Sequence, residues 1–409
     1  MFQNIPPRPE LNPQKGLGEK GAKMKIEEVS FEILGASVRL GVGAVKDVGP
    51  CLKSAGAKKV FIATDQGVVK AGLLDLPKRS LAEVGISYEI FDRIEPNPSD
   101  RTVMEGAQLF QKTRCDAILT VGGGSSLDAA KAIQVMASHP GEIYEYLGVE
   151  RAAKITRPRP YLIAVPTTSG TGSEVSRGAI ITNTKTKTKE VMRTGPSQLA
   201  IIDPEMTLSM PPQLTAGTGM DALSHNIEAC VSKRYHPVCT ALALEGIRLI
   251  GKSLKKAVKA GNDLEARMDM AVASMMGALA FQKGLGTVHS LAHQLSSEAD
   301  VPHGVANAIL IPHVMRFNLS HAVEELAQIA RALGENIHSL TLSEAAERSC
   351  SAVARLSQEI GLPQRLREVG VQEQQIPRMA ENAMHDWCHP FNPRPCSVSD
   401  MLELYRVAY

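Results

Sequence analysis

Between residues 60 and 202 this 409-residue chain alternates short apolar runs with amphipathic stretches, and that alternation restricts its fold more than any other feature. The runs at 60–63, 86–91, 117–121, 161–165 and 199–202 have strand length and β-type composition. The segments at 101–113, which follows an N-cap at Ser99, and at 126–136 repeat with a helical period. Strands separated by helices are expected to pair in parallel, with helices covering both faces of the sheet. Further β-type runs at 29–34 and 38–42, with Gly41 and Gly43 supplying turns, precede a helical 45–54. After Pro211 and Pro212 the character changes to Ala/Leu/Met-rich helical periods, as at 240–260, 264–281, 323–332 and 342–360. Gly334, Gly361 and the prolines of 390–395 act as stops. The expected fold class is an α/β N-terminal domain with a mainly parallel sheet over 24–212, then an all-α domain over 213–409. Residues 1–23, rich in Pro, Gly and charge, read as a flexible extension.

Charge excludes some functions. With 45 basic and 43 acidic residues the formal charge is +2, which gives no footprint for nucleic acid or an anionic membrane. No apolar run reaches membrane-spanning length and the N-terminus lacks a signal-peptide core, so a soluble, cytoplasmic protein is expected. Seven cysteines without a CxxC pattern fit reduced thiols better than a disulfide framework.

Two kinds of segment carry chemistry. In GLGTVHSLAHQLSSEADVPHGVAN (284–307), His289, His293 and His303 fall within fifteen residues, and upstream GMDALSHNIE holds Asp221 and His225. Asp221/His225 and His289/His293 are each four apart, so on a helix each pair shares a face. A lone helical histidine is usually a packing residue; four histidines and a carboxylate favour a divalent metal site. Ser290 stands where a zinc protease would carry its glutamate base. On the other side, AILTVGGGSSLDAAK (117–131) runs from a buried strand through three glycines into a helix, suited either to a pyrophosphate or to an ordinary tight turn. Asp65, ending the run at 60–63, is placed to accept ribose hydroxyls and to repel a 2′-phosphate, or else only to cap the next helix. The hydroxyl- and glycine-rich PTTSGTGSE (166–174) is a third loop at a strand end, and three such loops favour one shared dinucleotide crevice. The GxGxxG order is absent, so a doubly wound fold of another ancestry is implied.

Together GGGSSLDAAKAI, PTTSGTGSEV, GMDALSHNIE, GLGTVHSLAH and PHGVANAIL resemble the motifs of the iron-containing (group III) alcohol dehydrogenases, over nearly the whole chain from about residue 28. The resemblance implies a dinucleotide-binding domain, a helical metal-binding domain and an active site in the cleft between them. By motif the metal ligands would be Asp221, His225, His289 and His303. His293 would lie beside the nicotinamide as the catalytic proton relay. On the cofactor side the resemblance points to Asp65, Asn97, Gly123, Gly124, Ser125, Asp128, Thr167, Thr168 and Thr171, and to Lys189 in the lysine-dense NTKTKTKE. The implied reaction is metal-dependent hydride transfer between NAD and a small primary alcohol or aldehyde, in a homo-oligomer. The family favours Fe²⁺, while the ligand types accept Zn²⁺ equally.

For substrate, EVSRGAII and AFQKGLGTVHSLAH are more like the branch that includes 4-hydroxybutyrate dehydrogenases. Gly178 would open space, Arg177 and Lys283 would offer positive charge to a carboxylate, and Cys388 in HDWCHPFNPR would approach the nicotinamide. The expected substrate is therefore an omega-hydroxy acid such as 4-hydroxybutyrate. The alternatives are a hydroxyacid–oxoacid transhydrogenase, or a diol, lactaldehyde or glycerol dehydrogenase of the same superfamily.

Overall fold

The sheet is built from six parallel strands whose residues alternate between two apolar faces. The computed structural model describes residues 35–409, so the expected extension at 1–23 and strand at 29–34 lie outside the described residues. In chain order the first half runs β1 (Ser37–Leu40), α1 (Val48–Ser54), β2 (Lys59–Ala63), α2 (Gln66–Lys70), α3 (Asp75–Glu83), β3 (Ser87–Phe91) and α4 (Asp100–Lys112). It continues with β4 (Ala117–Gly122), α5 (Gly124–Met136), β5 (Tyr161–Pro166), β6 (Ala179–Asn183), β7 (Thr188–Met192) and β8 (Leu199–Ile202). The strand order is β1-β8-β5-β4-β2-β3, with every pairing parallel. Val60 and Ile62 pack on one face with Leu119, Val121 and Ile163, while Phe61 and Ala63 pack on the other with Phe91, Ile118 and Leu162. That period of two places apolar side chains on both faces, as a helix-covered parallel sheet requires.

Among the described residues the expected strands and helices of this half are present, and Ser99 caps α4 by accepting from Thr102 N–H. One addition is the antiparallel hairpin β6–β7, whose turn is closed by Asn183 Oδ1 accepting from the amides of Lys185 and Thr186. Its first strand is a short Ala-Ile-Ile run, and its second carries Thr, Lys and Glu without the apolar run that marks the others.

The second half is helical: α6 (Pro212–Val231), α7 (Pro237–Lys259), α8 (Leu264–Ala280), α9 (Thr287–Glu298), α10 (His303–Asn318), α11 (Val323–Ala332), α12 (Leu342–Glu359), α13 (Ile376–Ala383) and α14 (Val398–Ala408). Helix α6 is central and nearly wholly buried, packed by α7, α8 and α10. An apolar helix that meets neighbours all round shows little amphipathic period, which suits a core position. Buried Arg267 braces the start of this half, donating to Thr215 Oγ1 (2.9 Å) and the Gly261 carbonyl (2.9 Å). Gly334 and Gly361 follow α11 and α12 at φ +85° and +79°, the left-handed turn that glycine makes without strain. Among the described residues no helix is long and apolar enough to cross a membrane.

Candidate active site

The crevice follows from topology. The chain leaves β2 toward β3 and leaves β4 toward β5, in opposite directions across the sheet, so the C-terminal ends of β2 and β4 flank a switch point where ligands of such sheets bind. Asp65 stands at the end of β2, its Oδ1 accepting from Val68 N–H (3.0 Å) and its Oδ2 from Ser126 Oγ (2.8 Å). Asp65 is thus a helix cap as well as a residue of the crevice. At the end of β4 the glycines admit close neighbours: a Cβ on Gly124 would lie 2.6 Å from Thr171 Cγ2, and one on Gly123 3.3 Å from Thr168 Cγ2. The absence of side chains therefore lets the loop of Thr168 and Thr171 pack directly on the start of α5, whose amino end carries the free amides suited to a phosphate. Asn97, held at φ 54°, donates its N–H to Ser125 Oγ (3.2 Å), and Thr167 donates its N–H to the Gly122 carbonyl (2.9 Å).

Asp128 has a different place from the one expected. Its carboxylate accepts from Ser173 Oγ and from Ile180 N–H (2.9 Å) and pairs with Lys131 Nζ (3.1 Å), while Lys131 also donates to the Ser173 carbonyl (2.9 Å) and to the Gly178 carbonyl. Asp128 and Lys131 clamp the segment 173–180 to α5. That segment reaches the helical half through Gly172 (φ +58°), where a Cβ would lie 2.3 Å from Ala278 Cβ, and Gly170, where one would lie 2.9 Å from the Thr218 carbonyl.

Below these loops α6, α9 and α10 converge. Ligand atoms of Asp221, His289 and His303 all lie within 4.8 Å of one another. Asp221 Oδ1 is 3.5 Å from His303 Nε2, 3.9 Å from His289 Nε2 and 3.9 Å from His225 Nδ1. A metal with bonds of about 2.1 Å separates its donors by roughly 3–3.5 Å, so these spacings are close to a ligand shell. The His225 ring stacks on His289 with centroids 4.5 Å apart, and its Nδ1, like that of His303, is buried without a hydrogen-bond partner. A buried imidazole nitrogen left unpaired is costly, and a cation beside Asp221 would satisfy that of His225, whose Nδ1 faces the carboxylate, while His303 offers the same point its Nε2. Burial pulls His225 down to about 4 and, with the neighbouring cationic groups, puts His303 well below its ordinary value, so both are neutral and able to ligate. Burial also lowers His289, but Glu228, together with Asp221 and Asp386, outweighs it and the net shift is upward. The donor set fits a divalent ion.

Several supporting groups were not singled out in the sequence. Glu228 accepts from His289 Nδ1 and from Val288 N–H (2.7 Å), fixing the tautomer that leaves Nε2 toward Asp221. Asn307 donates from Nδ2 to Asp221 Oδ1 (2.8 Å). Both lie in quoted motifs, and Glu228, seven residues beyond Asp221, shares its helix face. The hairpin brings in Lys189, where burial lowers the amine to about 8 against the opposing pull of Asp221 and Asp386. His293, stacked on His303 at 5.4 Å, donates from Nδ1 to Asp386 Oδ2 (2.7 Å).

The residues expected at the substrate end separate. Cys388 is wholly buried beside Asp386 and His293, and burial, reinforced by Asp386, keeps its thiol protonated. Lys283 departs from expectation: it is 6% exposed, and its Nζ donates to the Cys230 carbonyl (2.8 Å) and Thr240 Oγ1 (3.0 Å), inside the helical half. Arg177 brings its guanidinium near Gly35, which precedes β1, and so lies toward the N-terminal ends of the strands, whereas the crevice is at their C-terminal ends. Gly178 gives its carbonyl to Lys131 and faces Val191, where a Cβ would lie 3.2 Å from Cγ1, so the space it leaves is filled by the hairpin.

Comparisons with known proteins cover both halves of the chain. Residues 36–204 match the family model described as iron-containing alcohol dehydrogenase, and residues 215–409 match its C-terminal counterpart. The chain is 46% identical over 375 residues to a 1,3-propanediol dehydrogenase of Citrobacter freundii, covering 90% of this chain and 96% of the relative. It is 42% identical to an NAD-dependent methanol dehydrogenase of Bacillus methanolicus, covering 93% and 99%. Among solved structures, a 1,3-propanediol oxidoreductase superposes with a TM-score of 0.89 at 44% identity, covering 92% of this chain and 98% of that one.

Proposed function

The chain belongs to the iron-containing alcohol dehydrogenase family and is an alcohol oxidoreductase, and from that premise we propose an NAD- and divalent-metal-dependent dehydrogenase of short, uncharged primary alcohols, a three-carbon diol foremost. The observation that carries the proposal is the convergence of Asp221, His289 and His303 within 4.8 Å, with His225 stacked alongside, below the glycine loop. These four residues would hold the ion, Fe²⁺ by family, although the same donors accept Zn²⁺. When bound, the ion supplies Lewis acidity to an alcohol oxygen, and NAD supplies the hydride acceptor.

The chain's own groups do the rest. Amides of Gly123, Gly124 and Ser125 at the start of α5 would take the pyrophosphate, with Thr168 and Thr171 closing over them. Asp65 would accept the adenosine ribose hydroxyls. Asn97, next to Ser125, and Lys189, on the hairpin, would face the nicotinamide end. His293 would accept the alcohol proton at Nε2 and pass it outward.

An uncharged substrate is favoured because Lys283 and Arg177 are directed elsewhere. The relatives named for 1,3-propanediol and methanol support the same choice. A second reading rests on Lys189, the cation facing Asp221 and Asp386: an omega-hydroxy acid such as 4-hydroxybutyrate would set its carboxylate there. Anaerobic reconstitution with Fe²⁺, followed by kcat/KM from NADH formation, separates the two. Propane-1,3-diol and butan-1-ol are expected to exceed 4-hydroxybutyrate by about tenfold or more. The reverse ranking supports the second reading, and no NADH from any alcohol removes both.

A further inference from the structure

Beyond the metal cluster, a second group of chemistry-bearing side chains comes together on α9 and the segment after α13. His293, Asp386 and Cys388 have ligand atoms within 4.8 Å of one another, which raises the question of a second ion. Their hydrogen bonds answer otherwise. Asp386 Oδ1 accepts from Ser290 Oγ (2.9 Å) and from Cys388 N–H (2.9 Å), and Ser290 Oγ in turn accepts from His389 N–H (2.8 Å). One carboxylate oxygen is thereby anchored by two donors, and the other is aimed at His293 Nδ1 at 2.7 Å. A neutral imidazole that donates from Nδ1 carries its lone pair on Nε2. Among the described residues nothing hydrogen-bonds His293 Nε2, while its ring stacks on His303 and lies 6.0 Å from His289.

We propose that Asp386 is a positioning residue for the alcohol dehydrogenase reaction: held by Ser290 and the Cys388 amide, it fixes His293 in the tautomer and orientation that present an unprotonated Nε2 to the alcohol. The inference rests on His293 being the proton acceptor. It reaches further in assigning that ability to Asp386, 93 residues away in sequence. In the step itself the alcohol O–H bond breaks, the proton goes to Nε2, and Nδ1–H stays bonded to Asp386. The electron pair left on oxygen forms the second bond to carbon as hydride leaves that carbon for NAD, giving the aldehyde and NADH.

Asp386→Asn is the informative change, because the amide oxygen can still accept from Ser290 and Cys388 while the new NH₂ faces Nδ1 and forces the proton onto Nε2. Metal-reconstituted Asp386→Asn is expected to lose about 10²-fold or more in kcat with little change in KM for alcohol. In a His293→Ala background the same substitution is expected to cost nothing further. Histidine-labelled ¹⁵N spectra of the full-length protein, assigned by the His293→Ala variant, are expected to show Nδ1–H for wild type and Nε2–H for Asp386→Asn. Asp386→Asn with wild-type kcat and the wild-type tautomer overturns the proposal while leaving His293 as the proton acceptor. Full additivity with His293→Ala also overturns it. Unchanged kcat in His293→Ala alone removes the role of His293, and with it the premise.

Discussion

Lys283 shows how one buried amine changes a substrate argument. Its Nζ meets the Cys230 carbonyl near the end of α6 and Thr240 in α7, so the ammonium closes a helix C-terminus, where a cation and a donor are both favourable. Burial lowers its pKa, as it does for an amine with no carboxylate in direct contact. Lys283→Met should therefore cost about 1–3 kcal/mol of stability and lower Tm by a few degrees. The ratio of kcat/KM for 4-hydroxybutyrate to that for butan-1-ol should stay unchanged. A selective loss of the hydroxy acid would return Lys283 to the substrate pocket. The amine beside Gly284 invited a pocket reading because the sequence around it gives no sign of which way the side chain turns. The Glu228–His289 and His293–Asp386 pairs were hidden for a related reason. Their members lie 61 and 93 residues apart, and no local period reports such partners.

At the scale of elements, α6, α9 and α10 carry the proposed ligand set, and the contact between α6 and α10 depends on the absence of a side chain. A Cβ on Gly304 would lie 2.2 Å from the Gly217 carbonyl oxygen, a backbone atom that cannot swing away. Gly304→Ala should push α10, with His303 at its first position, off α6 and Asp221. Chelator competition should then show metal affinity reduced by tenfold or more, the scale of loss seen when the support of a metal ligand is disturbed. Gly334→Ala is the matched control: its Cβ meets nothing within 4 Å, and its cost of about 1 kcal/mol comes from the left-handed backbone alone, so metal affinity should hold. Equal affinity in the two variants would mean that α10 does not depend on this contact. Local signals made most elements legible: the parallel strands are short apolar runs, and the glycine loop and helix caps announce themselves by residue type. The β6–β7 hairpin escaped because β6 offers only the short Ala179–Ile181 run and β7 none, the pair resting instead on turn chemistry at Asn183 and on packing against α5 and α9.

Across the molecule, the parallel sheet provides a crevice at its switch point, and the helical half provides imidazoles and a carboxylate just below it. The segment 166–180 joins them, clamped to α5 by Asp128 and Lys131 and fitted to α6 and α8 through Gly170 and Gly172. The fold class was readable from the change of period at Pro211 and Pro212, whereas the joining role of Asp128 was not, because its partners Ser173 and Ile180 are brought to it only by the fold. The central claim is that the cluster of Asp221, His225, His289 and His303 holds the ion on which alcohol oxidation depends. Its most direct test is a titration of chelator-stripped protein with Fe²⁺ under anaerobic conditions, reading bound metal and NADH formation from propane-1,3-diol in the same samples. Activity should rise in proportion to bound metal and level off near one ion per chain, and Asp221→Ala should bind none. Stripped protein that oxidises the diol at the full rate, or Asp221→Ala that keeps both metal and activity, would contradict the account.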